Sequence, residues 1–143
     1  MFKSNWGEIF KKYDIKNKLK NYYNKTGLEI AIQGEIVGMG IQGNKYKFDD
    51  LKFFIFNIYD IKNKRWFSID EIVEWCEDNR FNHVPIIKHS IEIFHTMDEM
   101  IEISKGKSVL NSETIREGLV WRKTDQSQSF KVINLEFLLK HEE

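Results

Sequence analysis

From Leu28 to Val37 the chain alternates. Leu28, Ile30, Ile32 and Ile36 fall on one side, and Glu29, Gln33 and Glu35 on the other. A period of two predicts a half-buried strand. The next apolar run, Phe53 to Ile61, is β-branched and aromatic almost throughout. It is too apolar for a strand with one wet face, which predicts a central place in a sheet. Between the two lies a glycine-bearing loop, Gly38 to Asn44. Lys62-Asn63-Lys64 reads as a turn, and Arg65-Trp66-Phe67 as a short returning strand.

Helical signals bracket these strands. Ile15 to Tyr23 follows Asp14, a candidate N-cap, and reads as a basic amphipathic helix ending near Gly27. Ser68 with Glu71 forms a capping box before a helix whose apolar stripe is Ile69, Ile72, Val73 and Cys76. Val84-Pro85-Ile86-Ile87 reads as a short strand, with Pro85 placing it at an edge or an end. Thr96 with Glu99 is a second capping box, for a helix running to about Ser104 and stopped by Gly106. Gly118 to Lys123 and Ser129 to Asn134, joined by a polar turn, predict a hairpin. Asn134 then caps a last helix carrying Leu135, Leu138 and Leu139. No repeat and no linker interrupts the order. It predicts one α+β domain over residues 1–143, with a largely antiparallel sheet, flanking helices and a basic helical lead-in at 1–27.

Composition narrows the class. The 143 residues are 41% hydrophobic and 14% aromatic, enough to build a core. Their 22 basic and 22 acidic residues cancel, which excludes a protein that holds nucleic acid by bulk charge. One cysteine excludes a disulfide scaffold and a cysteine-rich zinc site. No apolar run approaches a membrane span, and charges interrupt any signal-peptide core. The expectation is a cytoplasmic protein with no membrane partner. The charge is uneven, however: residues 1–27 carry a net +5 and residues 68–102 a net −7. The two blocks are either solvated faces of opposite sign, or an acidic side turned away from a polyanion that the rest meets.

Several residues are candidates for chemistry. Gly38-Met39-Gly40-Ile41-Gln42-Gly43 matches a dinucleotide fingerprint by letter, but no helical pattern follows it. A loop whose backbone approaches a ligand or another strand is the better reading. His83, His89 and His95 are spaced by six, which puts them on no common face, and with His141 they form no metal signature. Cys76 sits on an apolar stripe and reads as core. Asp60, at the end of Phe54-Ile55-Phe56-Asn57-Ile58-Tyr59-Asp60, needs a partner or a ligand if buried. Glu117 opens Glu117-Gly118-Leu119-Val120-Trp121-Arg122. Lys131 stands between apolar neighbours in Ser129-Phe130-Lys131-Val132-Ile133-Asn134. Singly, each reads as a satisfied structural group or as part of a site. Together they supply an aromatic plate, carboxylates for a metal or a ribose, and cations for phosphate.

Four segments in this order, AIQGEIVGMGIQGNKYKF, FFIFNIYDI, EGLVWR and SFKVIN, resemble the nucleotidyltransferase domain of ATP-dependent RNA ligases. That group belongs to the covalent nucleotidyltransferase superfamily, with DNA ligases and mRNA capping enzymes. The likeness runs from about Asp14 to Lys140. It implies part of an ATP-grasp-like ligase domain, with ATP (as AMP) and Mg²⁺ or Mn²⁺ as cofactors and RNA ends, such as those of a nicked duplex, as substrate in RNA repair. In the family a lysine takes AMP from ATP, AMP passes to a 5′-phosphate, and a 3′-hydroxyl displaces it. By resemblance, Glu35 contacts the ribose, Tyr59 stacks on adenine and Asp60 is its acidic neighbour. Glu117 works with the divalent metal, Lys131 meets the α-phosphate, and Arg122 stands near a basic position of the family.

The chain also departs from the family. Its nucleophile stands in K-x-x-G or K-x-D-G, upstream of Gln33-Gly34-Glu35. The glycines here are 7, 27, 34, 38, 40, 43, 106 and 118, and none has a lysine three residues before it. The second lysine of the last motif is also missing, since Ser129 and Ile133 flank Lys131 at that distance. The expectation is the C-terminal part of a ligase domain, truncated, unable to self-adenylylate alone, with an upstream segment or another polypeptide completing it. A sheet edge left exposed in this way offers a place for a second copy. The alternative is a non-catalytic nucleotide- or RNA-binding module that uses the pocket or the basic helix with Lys16, Lys18 and Lys20.

Overall fold

The computed structural model describes residues 4–87 and 96–141. The chain forms two compact units, Met1–Val84 and Pro85–Glu143. Among the described residues, helices and mainly antiparallel strands give the expected α+β class. No described helix is long and apolar enough to cross a membrane.

The first unit opens with α1 (Asn5–Lys12), which the hydrophobic pattern does not predict. Ser4 caps it, its hydroxyl accepting from the Gly7 N–H at 3.1 Å. Lys11 and Lys12 sit at the negative end of its dipole. α2 (Ile15–Thr26) begins where expected and ends on Gly27 in the left-handed region. Asp14 precedes it but makes no side-chain cap; its carboxylate accepts instead from the Asn17 side chain at 2.8 Å.

β1 (Ile30–Gly38) pairs antiparallel with β2 (Leu51–Asp60). The other edge of β2 takes β3 (Arg65–Trp66) antiparallel and β4 (Asn82–His83) parallel, so β2 is central as expected. Between β1 and β2 the register slips at Gln33/Gly34: Gln33 lies opposite Asn57 and Gly34 opposite Ile55, so Phe56 is the extra residue of β2. This bulge reverses which side chains face inward. Phe53 and Ile55 before it, and Ile58 and Asp60 after it, are buried. With Ile9, Ile15, Ile30, Ile36, Ile72, Trp75, Cys76 and Phe81, the apolar ones form the core. Tyr13 stacks on Phe81 and bonds the Phe53 N–H through its hydroxyl.

α3 (Ile69–Asn79) carries both bonds of its capping box, between Ser68 and Glu71. Its buried residues are Ile72, Trp75 and Cys76; burial pushes the Cys76 thiol up to about 12. The strand expected at Val84–Ile87 lies two residues earlier, at β4. The Val84 N–H still donates to the Ile55 carbonyl at 2.9 Å, but Pro85 has no N–H and the ladder stops. After Gly38 a single 3₁₀ turn, Gln42–Asn44, stands where a dinucleotide fold would start its helix.

In the second unit α4 (Met97–Ser104) begins on the complete Thr96–Glu99 capping box. β5 (Gly118–Arg122) and β6 (Ser129–Ile133) form the expected hairpin. α5 (Leu135–His141) follows Asn134, whose side-chain oxygen accepts from the Glu136 N–H at 3.1 Å. Leu135, Leu138 and Leu139 of α5 are exposed.

Candidate functional site

The candidate residues fall into two groups, one in each unit. In the first, the face of β1–β2 turned away from the main core carries Ala31, Gln33, Glu35 and Val37 on one strand and Lys52, Phe54, Asn57 and Tyr59 on the other, with Val37 and Phe54 buried. Asn57 donates to Gln33 across the pair at 3.1 Å. Glu35 is exposed on this face. Tyr59 shares the face but pairs with Ala31, four residues from Glu35, which is roughly 13 Å along a strand. Its ring packs edge-on against Trp66, with centroids 4.8 Å apart. The aromatic directly opposite Glu35 is Phe54, buried and stacked on Phe48 of the segment that leads into β2. The pairing of Glu35 with Phe54 is not visible in the sequence, because the bulge sets this register.

Asp60 takes the structural alternative. The bulge turns it to the buried side, opposite Glu35 and Tyr59, where it is 0% exposed. Its two carboxylate oxygens accept from the Asn63 backbone N–H at 2.9 Å and the Asn63 side chain at 2.7 Å. These bonds, the backbone one first, hold its carboxyl below the usual carboxylate range. Asp60 therefore ties the turn between β2 and β3 and lies outside the surface that carries Glu35.

In the second unit the hairpin brings Glu117 and Lys131 together as an ion pair. Lys131 lies opposite Val120 and Arg122 opposite Ser129, so the two cations are diagonal neighbours on one face. Burial lowers the Arg122 pKa. The side chains of Lys131 and Glu117 are 46% and 44% exposed. A pair this wet is worth about 0–1 kcal/mol, so a phosphate and a cation can separate it at little cost.

Glycine makes the start of β5 possible. A Cβ at Gly118 would lie 2.3 Å from the Val132 carbonyl oxygen, so no other residue lets the strand lie this close to β6. Asn134 also acts here: its backbone N–H donates to the Glu117 carbonyl at 2.8 Å and its side chain to the Arg116 carbonyl at 3.1 Å. Sequence showed Asn134 only as a helix cap.

Among the described residues no group of three or more His, Cys, Asp or Glu could enclose a metal ion. His83 contacts the Val84 carbonyl through Nδ1 at 2.9 Å, and His141 packs against Phe137. His89 and His95 lie outside the described residues. Glu117 is a single accessible carboxylate held by Lys131, and Mg²⁺ is commonly held by one or two carboxylates plus substrate oxygens, so a divalent ion would fit here only with phosphate drawing the ammonium away.

A strand face with a carboxylate and aromatics, and a hairpin with a carboxylate–lysine pair, are the two groups of polar chemistry that the fold presents. The comparisons give the family. The sequence profile of the RNA ligase family matches residues 2–133, and the chain belongs to that family. Solved structures of Naegleria gruberi RNA ligase are similar throughout. A lysine-to-methionine variant with AMP and Mn matches with a TM-score of 0.85 at 29% identity, over 99% of this chain and 43% of that one. A glutamate-to-alanine variant with ATP and Mn gives 0.87 at 28%, over 100% and 43%. The ligase with PPi gives 0.86 at 29%, over 99% and 43%. The chain thus spans about 43% of the length of these ligases. No curated protein sequence matches it.

Proposed function

We propose that this chain is the C-terminal part of the nucleotidyltransferase domain of an ATP-dependent RNA ligase that seals 5′-phosphate to 3′-hydroxyl ends. Glu35 is assigned to the ribose and Tyr59 of β2 to the adenine, since a flat ring stacks on a base. Lys131 is assigned to the α-phosphate, where its charge opposes the charge that grows at the leaving step. Arg122 adds to the positive face beside it. Glu117 is assigned to Mg²⁺ or Mn²⁺, which would neutralise phosphate oxygens when bound. Asp60 is assigned to the turn that carries β3 and Trp66 against Tyr59.

The observation that carries the reading is the Glu117–Lys131 pair. It joins the two groups that a metal–phosphate ligand needs and leaves both accessible. The nucleophilic lysine is assigned to a segment outside these 143 residues, because no lysine here has the required spacing to glycine. Incubation with labelled ATP and Mn²⁺ tests this. The chain alone is expected to form no acid-labile AMP adduct, and to form one when a segment bearing K-x-x-G is supplied separately. An adduct on the chain alone contradicts the assignment.

A further inference from the structure

The two peptide groups that flank the Glu117 Cα are both tied to one residue. Asn134 donates its backbone N–H to the Glu117 carbonyl at 2.8 Å and its side-chain amide to the Arg116 carbonyl at 3.1 Å. It is 0% exposed, so water does not compete for these bonds. Arg116 is anchored in turn. Its guanidinium donates to the Ser104 and Ile103 carbonyls at 2.9 Å each, and also to the Lys105 carbonyl. These are the orphan acceptors at the end of α4. Glu117 therefore sits between a side chain fixed to α4 and a residue fixed between β6 and α5.

We propose that Asn134 is a positioning residue for the Glu117 carboxylate, acting through the backbone on both sides of it. The proposal rests on the assignment of Glu117 to the metal and adds what aims it. Capping α5 needs only an oxygen acceptor, which serine supplies about as well as asparagine. The amide donor spent on Arg116 is what asparagine has in addition. Partners that orient a metal ligand typically cost 10–100-fold in metal affinity when removed.

The test is Asn134→Ser in the full chain, with AMP present, Mn²⁺ as the titrant and Glu117→Gln as the reference for loss. Serine keeps the cap and is too short to reach Arg116. The expected result is a roughly tenfold or larger loss of Mn²⁺ affinity with helix content retained. It comes with loss of the Glu117–Lys131 side-chain contact measured by NMR cross-relaxation. Unchanged affinity with the contact intact overturns the proposal. Asn134→Asp keeps shape and cap but sets an acceptor against the Arg116 carbonyl; it serves if the serine variant does not fold, with the same expectation. If the unaltered chain takes up no Mn²⁺ with AMP, the nucleotide reading fails by itself. The clamp is then decided on the Glu117–Lys131 contact alone, whose persistence in both variants overturns it.

Discussion

Gly34 stands where a methyl group has no room: a Cβ there would lie 2.5 Å from the Phe53 ring and from the Phe54 carbonyl oxygen. The backbone of the Gln33-Gly34-Glu35 segment thus presses on β2 at the bulge, and the glycine serves Glu35 by placing its strand. Gly34→Ala should cost about 1–3 kcal/mol, the range for overpacking a tight site, read as a lower urea midpoint. A second residue-scale effect is electrostatic. Arg65 forms two hydrogen bonds with Glu71, at 2.9 and 2.8 Å, and with the Ser68 backbone bond this brings the Glu71 pKa from 4.5 down to about 2. A depressed carboxylate contributes stability above its unfolded pKa and loses it as pH falls through the folded one. The contribution is therefore complete above about pH 4.5 and gone near pH 2. Both side chains are more than a third exposed, so screening keeps it under about 1 kcal/mol. Arg65→Ala should be slightly less stable than the unaltered chain at pH 7, with the gap closing toward pH 2 in denaturant titrations.

At the scale of elements, β2 organises the first unit. Ile58 is 0% exposed, and its truncation to alanine should cost about 2–5 kcal/mol. Thermal unfolding followed by circular dichroism reads this directly. The central place of β2 was legible because its apolar residues do not alternate. The bulge was not, since no letter at Phe56 marks an extra residue; it shows only when β1 is laid beside β2. That one residue decides that Tyr59 faces out and Asp60 in, so the two neighbours from a single motif part company. Capping boxes were legible at Ser68 and Thr96 because both partners are three residues apart in sequence. α1 was not, because only Ile9 of its apolar residues is buried, while Trp6 and Phe10 stay 60% and 47% exposed and blur the stripe. The hairpin was legible, but the second use of Asn134 depends on Arg116, 18 residues away.

At the scale of the whole molecule, the balanced charge hides its distribution. α2 turns Lys16 and Lys20 outward, four residues apart and so on one face. A chain that only binds RNA would rely on such a face. Its RNA affinity would fall with salt and on neutralising those lysines, and would ignore Glu117. The ligase reading places the decisive chemistry on the hairpin instead. Motif order and the hairpin were legible in the sequence, because a two-strand hairpin fixes its register locally; the Glu117–Lys131 ion pair shows only in the structure. The measurement that bears most directly on the account is calorimetric titration of AMP with Mn²⁺ into the chain and into its Glu117→Gln and Lys131→Ala variants. The account predicts saturable binding to the unaltered chain that depends on Mn²⁺ and falls at least tenfold in each variant, the order of one lost charge-assisted contact. Equal binding by all three chains would contradict it.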